Sequence, residues 1–199
     1  MEQMKQYTPD RKHAGEIKSE LKVRKWLESN TDYTFEFIRN DIQTGYDLGC
    51  WQYVQVDNLF EKRLICYIEV EESYQWRNGQ YPKHWKNWAY LQRKVNKWDW
   101  ANNKFLPLLK PNAKRTLYLK AAIDFSGMHC SRMEDIYKHG TICDSKTFPG
   151  DKRLSMTYRF PLYKKSRYVL VGETKCLKGI KRFLNIQSNL TPLHTLQST

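Results

Sequence analysis

The carboxylates of Glu69 and Glu71 lie at the end of an apolar run, in the stretch CYIEVEES at residues 66–73. Side chains alternate between the two faces of a β-strand, so these two carboxylates should lie side by side. Like charges this close raise the pKa of one carboxyl unless a cation is bound between them. Hard oxygen donors suit Mg²⁺ or Mn²⁺, and Asp47, just after a Gly-Tyr turn, is placed to supply a third oxygen ligand. The pattern predicts a divalent metal site.

Four elements early in the chain would position these acids. Helix-forming residues with apolar positions at near-helical spacing predict a first helix over residues 11–29. Alternating or continuous apolar runs bounded by turn residues predict three strands, at 33–38, 47–56 and 63–72. The third strand is apolar on both faces until its end, as expected for a central strand.

The rest of the chain continues this mixture of elements. Residues 88–98, WAYLQRKVNKW, have a composition compatible with a helix and contain no Pro or Gly. A strand is predicted at 115–125, a short helix at 128–140 and a last strand at 167–172. The length of 199 residues and the hydrophobic content of 40% fit one folded domain.

The sequence shows no sign of a secreted or membrane protein. The N-terminus does not resemble a signal peptide, and no apolar run is long enough to span a membrane. The five cysteines are odd in number and scattered, without a C-x-x-C pair, so we expect reduced thiols. We therefore expect a cytoplasmic protein that does not bind membranes.

Basic segments flank an acidic middle segment. Residues 28–72 hold ten acidic and three basic residues, although the whole chain carries a formal net charge of +13. Residues 83–120 hold ten Lys and Arg against one Asp, and residues 146–182 hold eleven against two acidic residues. Such flanks would attract a polyanion; a solvated basic surface that only maintains solubility is the alternative. The candidate nucleic-acid contacts are Lys83, Lys86, Arg93, Lys97, Lys164, Lys165 and Arg167.

The order of these motifs resembles that of the PD-(D/E)XK nuclease superfamily. The matching positions are Glu20 on the first helix, Asp47 in GYDLG, Glu69 and Glu71 in IEVE, and Arg93-Lys94 in YLQRK. The resemblance covers about residues 14–125 and implies an α/β (α+β) fold with a restriction-endonuclease-like core. Such a core runs helix-strand-strand-strand-helix-strand, with a mixed central sheet flanked by helices. A single domain, residues 1–199, would then comprise a nuclease-like core at about 11–125 and a basic C-terminal extension at 126–199.

The resemblance also assigns roles to these residues. Asp47, Glu69 and Glu71 would bind Mg²⁺ or Mn²⁺, and Glu20 would complete an outer shell or a second metal site. One position departs from the family, because Glu71 stands where the usual lysine is expected. Lys94 is the candidate to replace that lysine, by polarising water or by stabilising the charge that develops on the phosphate.

A literal E-x-K motif at Glu173-Thr174-Lys175 is a rival site. Too few residues follow Lys175 to supply the helix and strand that the fold requires after its motif strand. Gly172 also interrupts the preceding strand at the critical place. We therefore prefer Glu69 and Glu71.

These features predict a metal-dependent nuclease, an enzyme that hydrolyses phosphodiester bonds with Mg²⁺ or Mn²⁺ and acts on DNA more than on RNA. Two alternatives remain open. The first is a catalytically inactive nuclease-fold protein that binds nucleic acid. The second is a small basic protein that binds and inhibits an acidic protein partner. A homodimer is compatible with all three.

Binding to nucleic acid should depend steeply on salt, because each neutralised phosphate releases condensed counterions. We expect the affinity for fluorescent duplex DNA in EDTA to fall by about 10³-fold or more between about 50 and 200 mM salt, if about six phosphates are contacted. Fluorescence anisotropy measures this slope. An affinity that stays constant over this range would contradict the polyanion argument.

Overall fold

In the computed structural model, a long helix stands at each end of the described chain and strands fill most of the middle. The structure describes residues 9–38, 46–73, 76–78, 87–99, 101–102, 104–144, 156–161 and 169–190. The helices are α1 (Pro9–Asn30), α2 (Gln92–Val95), α3 (Met133–His139) and α4 (Glu173–Leu190), with a 3₁₀ turn at Ala113–Arg115. The strands are β1 (Thr34–Phe37), β2 (Leu48–Val56), β3 (Leu59–Ser73), β4 (Asn87–Leu91), β5 (Asn96–Asp99), β6 (Lys104–Leu109), β7 (Thr116–Ala122), β8 (Met128–Arg132), β9 (Thr141–Asp144), β10 (Met156–Pro161) and β11 (Val169–Val171).

The central sheet contains six strands in the order β1-β2-β3-β7-β8-β11. Neighbouring strands are antiparallel except β3 and β7, which run parallel. A tight turn cannot join a parallel pair, so the chain crosses from β3 to β7 through β4, α2, β5 and β6. The prediction of a mixed α/β fold with a mixed central sheet is confirmed.

Apolar side chains cover both faces of this sheet. On one face, Ile68 and Val70 of β3 pack with the buried sides of α1 and α4. On the other face, Tyr118 of β7 packs with Trp88 of β4 and Tyr158 of β10. Trp88 and Tyr158 belong to a small three-stranded sheet with the strand order β4-β10-β9. Strand β3 is therefore covered on both sides, which agrees with the prediction of a central strand.

Most of the predicted elements are confirmed, with boundaries that differ by a few residues. The first helix is α1, and the three strands that follow it are β1, β2 and β3. The strand predicted at 115–125 is β7, and the one predicted at 167–172 is β11. These elements were identified by alternating or continuous apolar runs that end at turn residues.

Two segments that were predicted as helical contain strands instead. Within 88–98, only the four residues of α2 are helical, between strands β4 and β5. Trp88 and Tyr90 are buried and Ala89 between them is exposed, which is the two-residue repeat of a strand. Within 128–140, the first half is strand β8, which pairs with β7, and only the second half is helix α3. Strand pairing decided the conformation in both places.

The long helix α4 was not predicted, although it completes the core. Cys176, Ile180 and Leu184 of α4 are fully buried against the central sheet, to which β8 and β11 also belong. The described part of 126–199 is thus continuous with the core. Neither α4 nor any other helix in the described ranges has the length and apolar character needed to span a membrane.

Truncating α4 at its buried face should destabilise the whole fold. Ile180→Ala removes a fully buried side chain, so we expect the free energy of unfolding to fall by about 2–5 kcal/mol. The exposed neighbour Lys181 provides the control, because Lys181→Ala should change the free energy of unfolding by no more than about 0.5 kcal/mol. Urea unfolding followed by circular dichroism measures both. Equal effects of the two substitutions would show that α4 does not belong to the core.

Candidate active site

Backbone hydrogen bonds hold Asp47 beside β3. The Asp47 amide donates to the Ile68 carbonyl at 3.2 Å, and the Asp47 carbonyl accepts from the Ile38 amide at 3.1 Å. The Asp47 carboxylate in turn accepts from the Val70 amide, with 2.6 Å between Oδ2 and N. These contacts fix the carboxylate next to Glu69. The predicted proximity of Asp47 and Glu69, on neighbouring strands of one mixed sheet, is confirmed.

Lys94 joins the two carboxylates. The Glu69 side chain is fully buried, and its Oε1 accepts a hydrogen bond from Lys94 Nζ. The same Nζ lies 3.9 Å from Asp47 Oδ2 and 3.5 Å from the Val70 carbonyl oxygen. Helix α2 presents this lysine from the crossover between β3 and β7. Three oxygens from two neighbouring strands thus surround one ammonium group.

The charges in this cluster do not balance. Burial and then the Asp47 charge raise the pKa of Glu69 to about 8, although Lys94 acts in the opposite direction. Burial alone would lower the pKa of Lys94, but the charges of Glu69 and Asp47 outweigh it and hold that pKa above its usual range. Two carboxylates therefore share one ammonium, and below about pH 8 a proton on Glu69 removes the excess of negative charge. The second Glu69 oxygen, Oε2, is buried and has no hydrogen-bond partner among the described residues.

Glu71 projects to the same side of β3 but has different partners. The Nζ of Lys120, on β7, lies 2.7 Å from Oε1 of Glu71, and the Tyr118 hydroxyl donates to Oε2 of Glu71. Lys120 also donates to the Ala89 carbonyl at 2.9 Å. Burial would raise the pKa of Glu71, but the Lys120 charge and these hydrogen bonds together lower it. Glu71 is therefore held as a carboxylate in an ion pair.

Sequence reasoning missed Lys120 and Tyr118. A signal for Lys120 was available, because it is the one charged residue in the otherwise buried strand TLYLKAA. A lysine in such a strand needs a partner, since an unpaired buried charge is costly. The partner could not be read from the sequence, because it depends on the pairing of β7 with β3.

Glu20 lies on the other side of the sheet from Glu69. The hydroxyl of the preceding residue, Ser19, donates to Glu72 at the end of β3. Helix α1 packs on the face that contains Val70, whereas Glu69 projects from the opposite face. The backbone of Glu20 is thus near the end of β3, and its contribution to the site stays a prediction.

The candidate nucleic-acid contacts are only partly described. Lys97 is exposed on β5, and Arg93 lies on α2, although its side chain is outside the described residues. The other five lie outside the described residues: Lys83, Lys86, Lys164, Lys165 and Arg167.

The rival E-x-K motif lies at the start of α4 rather than at the end of a strand. Glu173 and Lys175 are both exposed in the first turn of that helix. Glu173 accepts a hydrogen bond from the Trp26 indole at 2.9 Å. Helix α4 packs on the sheet face opposite Lys94, so this motif is separate from the Asp47 cluster.

The donors around Lys94 fit a hard divalent cation. Asp47 and Glu69 supply carboxylate oxygens, the Val70 carbonyl lies beside them, and the unpartnered Glu69 Oε2 adds another donor. In the described part of the chain, His, Cys, Asp and Glu side chains form no group of three or more that could hold a metal, so a cation here would depend on backbone oxygen or water.

No family model, curated protein or solved structure matches this chain.

The metal-free protein should lose stability as pH rises through neutrality. The pKa of Glu69 is raised from 4.5 to about 8 by folding, so its contribution is fully present below about 4.5 and is lost as pH rises through about 8. Glu69→Gln cannot titrate and should flatten this part of the curve. Urea unfolding in EDTA at a series of pH values measures the slope.

Glu71→Gln provides the control for this measurement. The pKa of Glu71 is lowered by folding, so its contribution is lost only in acid, as pH falls below the ordinary value of 4.5. That substitution should leave the slope between pH 6 and pH 8, a range of about two pKa units, as in the wild type. A slope that is the same in the wild type and in Glu69→Gln would contradict the charge imbalance.

Proposed function

We propose that this protein is a metal-dependent nuclease that hydrolyses phosphodiester bonds, with DNA favoured over RNA. The observation that carries the proposal is the convergence of Asp47 and Glu69 on one buried point, with Lys94 between them. Burial raises the pKa of Glu69 to about 8, and a divalent cation would replace the proton that Glu69 holds below that pH.

The order of elements supports the same proposal. Helix α1 is followed by β1, β2 and β3, then by α2, and then by β7 parallel to β3. This order is compatible with the helix-strand-strand-strand-helix-strand order of a restriction-endonuclease-like core, if β4, β5 and β6 are additions around the four-residue helix α2. In such a core, Asp47 just before β2, Glu69 on β3 and Lys94 on α2 would form the site.

Each residue near Lys94 has a separate role in the proposed reaction. Asp47, Glu69 and the Val70 carbonyl would hold Mg²⁺ or Mn²⁺, which when bound supplies a Lewis acid and an activated water. Lys94 would leave the oxygens that it contacts and donate to the phosphate oxygen on which charge develops. Glu71, held by Lys120, would orient water through its carboxylate. Glu20 would contribute to an outer shell.

The excess of basic residues supports nucleic acid as the substrate. The segments 83–120 and 146–182 together hold 21 Lys and Arg, and Lys97 on β5 is exposed near α2. Basic groups of this kind would bind the phosphate backbone and offset the repulsion between phosphate and the acidic site.

A second candidate function is nucleic-acid binding without catalysis. The observation that favours it is the contact of Lys94 with the oxygens that a cation would need. In that case the lysine would neutralise the acids permanently and no metal would bind.

Substitutions of the two acids test the proposal. Asp47→Asn and Glu69→Gln should abolish Mn²⁺-dependent cleavage of plasmid DNA, single-stranded DNA and RNA, because each removes a metal ligand. Binding in EDTA should be retained or slightly stronger, since an acid near the phosphate is removed. Glu173→Ala and Lys175→Ala are the controls and should cleave normally. Loss of cleavage in those controls, with cleavage retained in Glu69→Gln, would assign the reaction to the rival motif.

Lys94→Ala separates the two candidate functions. For a nuclease, we expect the rate to fall by about 10²- to 10³-fold, as when one preorganised donor is removed. The affinity for Mn²⁺ should rise in the same variant, because the ammonium no longer competes for Asp47 and Glu69. Isothermal titration calorimetry measures this affinity. A wild type that never cleaves, together with a Lys94→Ala variant that binds no Mn²⁺, would favour the protein that only binds.

A further inference from the structure

A groove of about 1010 Å³ lies at the end of β8, between a helix from each side of the central sheet. It runs between α3 and α4, across the end of β8, and is called here the α3–α4 groove. Its buried lining includes Leu117, Cys130 and Phe183. These residues belong to the core that α1 and α4 cover, whereas Lys94 contacts Glu69 from the opposite face. The α3 wall belongs to the core on the Lys94 side, but the groove is lined by none of the residues that contact Lys94, so it is a separate surface from the candidate active site.

One face of α4 lines the α3–α4 groove from end to end. The residues on this face are Lys175, Lys178, Arg182, Ile186 and Leu190. They follow each other at intervals of three or four, so they form a continuous stripe along the helix. The first three are basic and the last two are apolar. Ile186 is 46% exposed and Leu190 is 69% exposed, which leaves an apolar surface beside a basic one.

The two acids on the α3 side of the groove, Glu134 and Asp135, have basic neighbours, and the charges of Arg132 and His139 act on Asp135. Glu134 accepts from Arg132 at 2.8 Å and from Lys138 at 2.7 Å. Among the described residues, Lys175, Lys178 and Arg182 on the α4 side form no such ion pair. A ligand that matches this surface would therefore place acidic groups beside the first half of α4. It would place apolar groups beside the second half.

We propose that the α3–α4 groove binds an acidic amphipathic segment of a partner protein. Its acids would face Lys175, Lys178 and Arg182, and its apolar residues would cover Ile186 and Leu190. The α4 face spans about 22 Å at 1.5 Å per residue, which a helical segment of about 15 residues matches. The inference does not depend on nuclease activity.

Other occupants match the groove less well. A phosphate backbone would pair with the cations of α4 but would leave Ile186 and Leu190 exposed to water. The chain's own residues 191–199, TPLHTLQST, contain no Asp or Glu and so cannot supply the missing acids. An acidic amphipathic segment satisfies both halves of the stripe.

Peptide selection on the full-length chain tests this proposal. Random peptides of about 16 residues, displayed on phage, would be selected on the immobilised protein. We expect the enriched peptides to combine several acids with at least two large apolar residues. Their affinity should weaken by about tenfold or more in Lys178→Glu/Arg182→Glu, and also in Ile186→Asp. Circular dichroism confirms that these variants, which change side chains at the surface, remain folded.

The matched control places the same charge change elsewhere. Lys25 on α1 and Lys181 on α4 are exposed and do not line the groove, so Lys25→Glu/Lys181→Glu should bind the peptides as the wild type does. An equal loss of peptide affinity in both double variants would show that only the overall charge matters, and it would overturn the proposal. It would also be overturned by peptides without the acidic-apolar pattern. Displacement of the peptides by single-stranded DNA, with DNA affinity lost only in Lys178→Glu/Arg182→Glu, would assign the groove to nucleic acid instead.

Discussion

The burial of a carboxylate in the central strand is the constraint on which this structure depends. Glu69 lies in β3 with apolar layers on both sides of the sheet, where an isolated charge is strongly disfavoured. Lys94 approaches it from α2 in the crossover between β3 and β7, and Asp47 approaches it from the position just before β2. Two segments that are distant in sequence therefore contribute the polar partners of the Glu69 side chain. A protein that buries such a cluster gains little stability from it, because the desolvation of ions offsets their attraction.

Glu69 and Glu71 lie two residues apart on β3 but have different charged partners. Glu69 shares one ammonium with a second carboxylate, whereas Glu71 has Lys120 and a tyrosine hydroxyl to itself. The first arrangement raises the pKa of its carboxyl to about 8, and the second lowers the pKa of its carboxyl. The difference arises because β7 brings Lys120 beside Glu71 from the neighbouring strand.

The central sheet also separates two surfaces that differ in chemistry. The face toward α2 holds the buried acids, and the face toward α4 ends in the basic and apolar stripe of the α3–α4 groove. A ligand at one surface need not compete for space with a ligand at the other.

The sequence by itself determined the features that depend on neighbouring residues along the chain. The alternation in IEVEE put Glu69 and Glu71 on one face, and local periodicity placed α1 and the first three strands. Only the tertiary structure decided which partner each glutamate has, because Lys120 reaches Glu71 through the parallel pairing of β3 and β7, and Lys94 reaches Glu69 from α2 in the crossover. The same reason explains the errors at 88–98 and 128–140. These segments have ambiguous local preferences, and pairing with β10 and β7 settled the choice.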